Sequence, residues 1–143
     1  MARGFQVVER IARPPDEVWD FMADLGNAGR WMKGIDAIED LDDTPMAAGK
    51  KLKVRGGASG GGETTLADWQ PPNMMALRTV SGGVTATYTY ACQPADGGGT
   101  EITLDARCEA TGTMWKLMHP LIAALMKRHD AGQLAALKAT MGE

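Results

Sequence analysis

The most sustained hydrophobic pattern lies at the end of the chain. From Met114 to Met141, taken at about 100° per residue, Met114, Trp115, Met118, Leu121, Ile122, Leu125, Met126, Ala136 and Leu137 fall on one side of a helix. Lys116, Lys127, Asp130 and Lys138 fall on the other. One long amphipathic helix is expected there, and its apolar stripe requires cover. The upstream chain offers mostly short strand-like segments, so a curved sheet gripping this helix is the expected partner.

Upstream, the mixed run from Phe5 to Ala12 suits a first strand. Pro14, Pro15, Asp16 and Glu17 then supply a helix start, with proline's fixed φ and two carboxylates at the positive end of the helix dipole. Val18, Phe21, Met22 and Leu25 follow at helical spacing, and Gly26 reads as the stop. Asn27 is placed to cap a second short helix through Arg30, Trp31, Met32 and Lys33, ended by Gly34. From Ile35 the period shifts towards two, with Gly, Pro and Asp clusters between runs. Strands are predicted at Ile35 to Leu41, Lys50 to Arg55, Glu63 to Gln70, Met74 to Ser81, Val84 to Cys92 and Glu101 to Ala110. The short connections between them favour antiparallel pairing. Ile102, Leu104, Ala106 and Cys108 alternate with Thr103, Asp105, Arg107 and Glu109, which gives one dry and one wet face.

The order of elements, the opening Pro-Pro-Asp-Glu-Val-Trp-Asp-Phe-Met-Ala-Asp, the segment Arg30 to Ile35, the Asp68-Trp69-Gln70-Pro71-Pro72 turn, the Gly99-Thr100 hairpin and the closing Leu134 to Lys138 resemble the START-like (SRPBCC) superfamily. The similarity is greatest to its polyketide cyclase/dehydrase-like branch, covers nearly the whole chain and rests on motif order rather than on one diagnostic motif. Lys33 stands where the family pattern often has proline. The resemblance implies an α+β helix-grip fold: a seven-stranded antiparallel sheet wrapped around a long C-terminal helix, two short helices between strands 1 and 2, and a deep apolar cavity between sheet and helix.

Composition narrows the functions. A chain of 143 residues, 44% hydrophobic and 23% charged, fits one domain with a real core. Its net charge of −3 disfavours nucleic acid and anionic membrane surfaces. No apolar segment approaches the ~20 residues that span a bilayer, and Met1 to Gly4 begin no signal peptide, so a cytoplasmic protein without an integral membrane segment is expected. Cys92 and Cys108 lie on successive strands, but a hairpin through Asp96 to Gly99 places Cys108 near Ala86 or Tyr88, not Cys92. Free thiols are expected.

The usual catalytic constellations are missing from the sequence. There is no Cys-x-x-Cys, His-Glu-x-x-His or Gly-x-Ser-x-Gly, and the two histidines, His119 and His129, lack an obvious metal-ligand partner. No metal and no cofactor are implied. Gly56 to Gly62 is not a phosphate loop, because no Lys-Ser or Lys-Thr follows it. Gly56, Gly57, Ser59, Gly60, Gly61 and Gly62 form either a gate over the cavity mouth or a plain solvated loop. Tyr88 and Tyr90 share a face with Ala86 and Cys92; their hydroxyls either orient a ligand oxygen or satisfy the core. His129, on the apolar stripe, is either a packing residue or a proton shuttle. His119, preceding Pro120, more plausibly marks a helix start or kink. Trp31 either stacks on a flat ligand at the cavity rim or pins the short helix. Met75, Leu77, Leu104, Met118, Ile122, Leu125 and Met126 complete the expected wall. Asp105, Arg107 and Glu109 should face solvent, and Asp68 is ambiguous because it shares a face with Leu66, opposite Ala67 and Trp69.

Three functions are consistent with these features. The first is a binding protein for a small hydrophobic ligand, lipid-like or polycyclic and polyketide-like, acting as a monomer or homodimer. The second is a metal-free cyclase, aromatase or dehydratase in which His129, Tyr88 or Tyr90 polarises a carbonyl or moves a proton. The third is a protein interaction module with an incidental cavity. The shortage of inward charge favours the first over the second.

Overall fold

The structure is a computed structural model describing residues 2–32, 35–41, 44–56, 61–81, 83–112, 118, 120, 121, 124, 127 and 132–141. Strand β1 (Ala2–Ile11) is followed by helix α1 (Pro15–Ala23), a 3-10 turn (Leu25–Asn27) and helix α2 (Ala28–Trp31). Strands β2 (Ile35–Asp40), β3 (Lys51–Gly56), β4 (Gly61–Gln70), β5 (Met74–Ser81), β6 (Val84–Pro94) and β7 (Thr100–Ala110) come next, and helix α3 (Gln133–Thr140) closes the chain. The strands form one seven-stranded sheet in the order β1-β7-β6-β5-β4-β3-β2, every neighbour antiparallel. This is the helix-grip α+β fold, with an open sheet whose inward face is covered by helices.

Proline at the first turn, Asp16 and Glu17 beside the amide end, and an Arg13–Glu17 pair at 3.1 Å all favour α1 where it begins. Val18, Trp19 and Met22 turn inward, and Trp19 packs on Trp69 of β4 with ring centroids 5.4 Å apart. The end of α1 differs from expectation. Asp24 is extended and stops the helix, and Gly26 lies within the 3-10 turn. Asn27 makes no side-chain cap for α2; it donates from Nδ2 to the Phe21 carbonyl at 3.2 Å. Asp24 caps the 3-10 turn instead, accepting from the Gly26 amide at 3.0 Å. Gly29 is required because a Cβ there would lie 2.4 Å from the Asp36 carbonyl oxygen. That close approach seats α2, and with it Trp31, against the sheet.

A β-bulge between Leu66 and Asp68 corrects the simple alternation. Leu66 pairs with Leu77 and Trp69 with Met75, so Leu66 and Trp69 share the inward face. Asp68 folds back on its own strand, accepting from the Trp69 amide at 2.9 Å and from Gln70 Nε2 at 3.1 Å. The glycine segment is also shorter than expected, since Gly56 ends β3 while Gly61 and Gly62 pair with Arg55 and Val54. Gly57, Ser59 and Gly60 lie outside the described residues.

In the final segment Met118, Pro120, Leu121, Ala124 and Lys127 are helical, as is Gln133–Thr140. Met118 and Leu121, expected on the covered stripe, are 42% and 58% exposed. An apolar stripe states that a face can be covered; it does not place a given turn over the sheet. Lys138, expected in solvent, reaches Glu9 of β1 at 3.3 Å and closes the helix onto the sheet. Met114, Trp115, Ile122, Leu125, Met126, His119 and His129 lie outside the described residues.

Candidate functional site

Alternation along each strand and the register between strands sort the inward side chains into cross-strand rows. One row runs Trp69, Met75, Tyr90, Leu104, Val7 across β4, β5, β6, β7 and β1. The next runs Leu66, Leu77, Tyr88, Ala106, Phe5. In the third, Leu52 pairs with Thr64, and Thr79 with Ala86 and then Cys108. On β5 to β7 side-chain bulk therefore falls along the inward face, from Met75, Tyr90 and Leu104 in the first row to Thr79, Ala86 and Cys108 in the third, while Leu52 keeps the β3 end of that row large.

The bulky end is closed. Met75 and Leu104 are fully buried, and Tyr90 and Trp31 are each 1% exposed. The ring of Tyr90 meets Trp31 edge-on, centroids 5.4 Å apart at 84°, an arrangement in which the positive ring edge faces the negative π cloud. The Tyr90 hydroxyl donates to Gln133 Oε1 at 2.6 Å. Gln133 opens α3, where Leu134 and Leu137 are also buried, and the Thr140 hydroxyl lies 3.2 Å from the Arg30 carbonyl of α2. Sequence reasoning missed this Tyr90–Gln133 latch. A glutamine at the start of a helix carries no signal of its own until the register shows which ring it faces.

The indole Nε1 of Trp31 is buried without an acceptor among the described residues. An enclosed donor left unpaired costs about 1–3 kcal/mol. Burying roughly 200 Å2 of ring contributes about 5 kcal/mol at ~25 cal/mol per Å2, so packing outweighs the lost hydrogen bond.

The small end is more open. Tyr88, Thr79 and Ala86 are only half-buried. Thr64 donates to the Arg78 carbonyl at 3.0 Å, and Thr79 donates to Thr64 at 2.9 Å. Of the expected wall, Met75, Leu104, Trp31 and Tyr90 thus belong to the closed end, Leu77 and Tyr88 to the transition, and Met118 to the outer surface.

Among the described residues, charge on the inward side is scarce and already paired. Glu9 meets Lys138, and the buried Lys50 lies 3.7 Å from Asp40 and donates to the Thr44 carbonyl. Asp105 and Arg107 pair at 2.9 Å on the outer face. Cys92 and Cys108 are free and buried, Cys108 opposite Ala86 and Cys92 opposite Ile102. Burial pushes the Cys92 thiol up to about 12; Cys108 is raised by burial and then by the charge of Glu109. Both shifts favour the protonated thiol, the less nucleophilic form. No group of His, Cys, Asp and Glu suited to a metal occurs among the described residues. A solvent-open recess of about 520 Å3 is formed by the loop from Thr44 to Lys51.

Solved structures share this architecture at low identity. An aromatase/cyclase from a Streptomyces species superposes with a TM-score of 0.79 at 15% identity, covering 97% of this chain and 93% of that one. A START superfamily protein from Mycobacterium smegmatis gives 0.71 at 12% identity, covering 94% of each chain. The di-domain ARO/CYC BexL of the BE-7585A biosynthetic pathway gives 0.73 at 13%, with 99% of this chain matching 50% of that one. No curated protein matches the sequence. No helix among the described residues is long and apolar enough to cross a membrane. Residues 3–142 match the family described as polyketide cyclase/dehydrase and lipid transport, and the chain belongs to that family, in the START-like superfamily.

Proposed function

We propose that this protein binds a small hydrophobic molecule, lipid-like or polycyclic, between the inward face of the sheet and the C-terminal helical segment. The ligand lies over the small end of that face, on Ala86, Thr79, Tyr88 and Leu77. The observation that carries this reading is the fall in side-chain bulk from the row of Tyr90 to the row of Ala86. Protein interiors are packed to crystal-like density. Thr79 and Ala86 are half-buried beside the fully buried Thr64 and Cys108 of the same row, and such half-buried positions are where a guest can complete that packing. Affinity then comes from apolar area removed from water, with few polar contacts.

Binding without chemistry fits better than cyclisation. Aldol-type ring closure needs a group that moves a proton, and among the described residues the inward-facing Glu9 and Lys50 are held in ion pairs. The family name and the aromatase/cyclase among the similar structures support a ligand of polyketide or lipid type.

The test is Ala86→Phe, which fills the small end on a strand that tolerates aromatic residues. Wild-type protein should bind 1-aminoanthracene, read by fluorescence, and Ala86→Phe should weaken it by at least about tenfold. Unaltered affinity in the variant would remove the site from this end of the sheet. Native mass spectrometry of freshly purified protein then reads the mass of any retained guest.

A further inference from the structure

We propose that the polar contact of this site is an acceptor, Thr79 Oγ1, and that the ligand is therefore one that presents a hydroxyl or N–H donor. This rests on the binding reading above and specifies its ligand class. The reasoning is a count of protons. A threonine hydroxyl has one proton and two lone pairs. The Arg78 carbonyl can only accept, so the Thr64 proton is directed to it at 3.0 Å. Thr64, with its proton used, can only accept from Thr79 at 2.9 Å. The Thr79 proton is thereby committed too, and what Thr79 offers a guest is lone pairs.

Position makes this consequential. Thr64 is 2% exposed and belongs to the core, whereas Thr79 is half-buried and pairs in register with Ala86. The chain from Thr79 through Thr64 to a backbone carbonyl polarises each oxygen, which strengthens the terminal one as an acceptor. A ligand carbonyl or ether oxygen set against Thr79 would oppose lone pair to lone pair. Turning Thr79 to donate outward would strip Thr64 of its donor in a buried setting, which is unfavourable. A phenol, alcohol or amide N–H completes the chain without rearrangement.

The experiment uses three probes on one skeleton: 2-naphthol, 2-methoxynaphthalene and naphthalene, titrated calorimetrically. Wild-type protein should prefer 2-naphthol over 2-methoxynaphthalene by roughly threefold to tenfold. Thr79→Val, which keeps shape and strand preference, should erase that preference and leave naphthalene binding within about twofold. Thr64→Val removes the acceptor of the Thr79 proton, frees Thr79 to donate, and should turn the preference towards the ether. A naphthol preference that persists in Thr79→Val, or fails to fall in Thr64→Val, overturns the assignment while ligand binding itself stands. Failure of all three probes to bind wild-type protein would overturn both readings.

Discussion

The two ends of the inward sheet face are built on the same strands, yet they solve different problems. At one end Tyr90, Trp31, Met75 and Leu104 are closed off by α2 and α3, with every ring held by a neighbour. At the other, two residues further along each strand and then two more, Tyr88 gives way to Ala86 and Leu104 to Ala106 and Cys108. The first end makes the fold stable, and the second is where the proposed ligand would complete the packing. A single antiparallel sheet can do both because register, not strand identity, decides which sizes line up.

The largest contrast should appear on removing bulk. Leu104 is fully buried between Tyr90 and Val7, so Leu104→Ala should destabilise by about 2–5 kcal/mol, lost transfer energy plus a cavity that its tightly held neighbours cannot fill. Urea unfolding with an unchanged m-value checks this. A cost below about 1 kcal/mol would mean that the closed end is looser than its burial indicates, and the two-end contrast would collapse.

The tyrosines sharpen the same comparison with a smaller effect. Tyr90→Phe keeps the edge-on contact with Trp31 but deprives Gln133 Oε1 of its 2.6 Å donor. It should cost about 1–3 kcal/mol. Tyr88→Phe, at a half-buried position, should cost less than Tyr90→Phe. Pairing Tyr90→Phe with Gln133→Leu should cost less than the sum of the two single variants, since both remove the same hydrogen bond. Equal costs for the two tyrosines would place them in equivalent environments and remove the distinction.

Much of this architecture was legible before any coordinates. Period-two runs bounded by Gly, Pro and Asp located β2 to β7 within a few residues, because each of these strands is read from its own alternation, and the mixed run from Phe5 to Ala12 located β1. The misreadings share a cause: they depend on something outside the local run. The bulge at Ala67 reverses Asp68 and Trp69 because β4 must match β5 on both sides of it. Gly61 and Gly62 become strand residues because β3 offers partners to them. Met118 and Leu121 are exposed because no stripe states where a helix lies relative to a sheet. The size gradient that defines the site is invisible in any one strand. It emerges only when the registers of β4 to β7 are laid side by side, bringing Thr64 and Thr79 together across a hairpin and Ala86 beside Cys108.

The two cysteines extend the comparison into pH, where the expected effect is smallest near neutrality. Cys92 lies towards the closed end, opposite Ile102, and burial pushes its thiol from 9.0 up to about 12. Below about pH 9 both folded and unfolded chains hold this proton, and the contribution of Cys92 to stability is complete. Between about 9 and 12 the unfolded chain loses the proton while the folded one keeps it, so the unfolded state binds fewer protons. Stability then falls by about 1.4 kcal/mol per pH unit until the folded thiol itself titrates. Lysines and Tyr side chains titrate in the same range, so the measurement is a difference: urea unfolding at pH 8 and pH 10 for wild-type and Cys92→Ala. The gap between the two proteins should narrow by about 1.4 kcal/mol over that interval. Cys108→Ala should narrow it in the same direction, since burial raises that thiol too. A gap that does not narrow for Cys92→Ala would mean that water reaches this thiol in the folded protein, and that the end holding Tyr90 is less closed than its burial indicates.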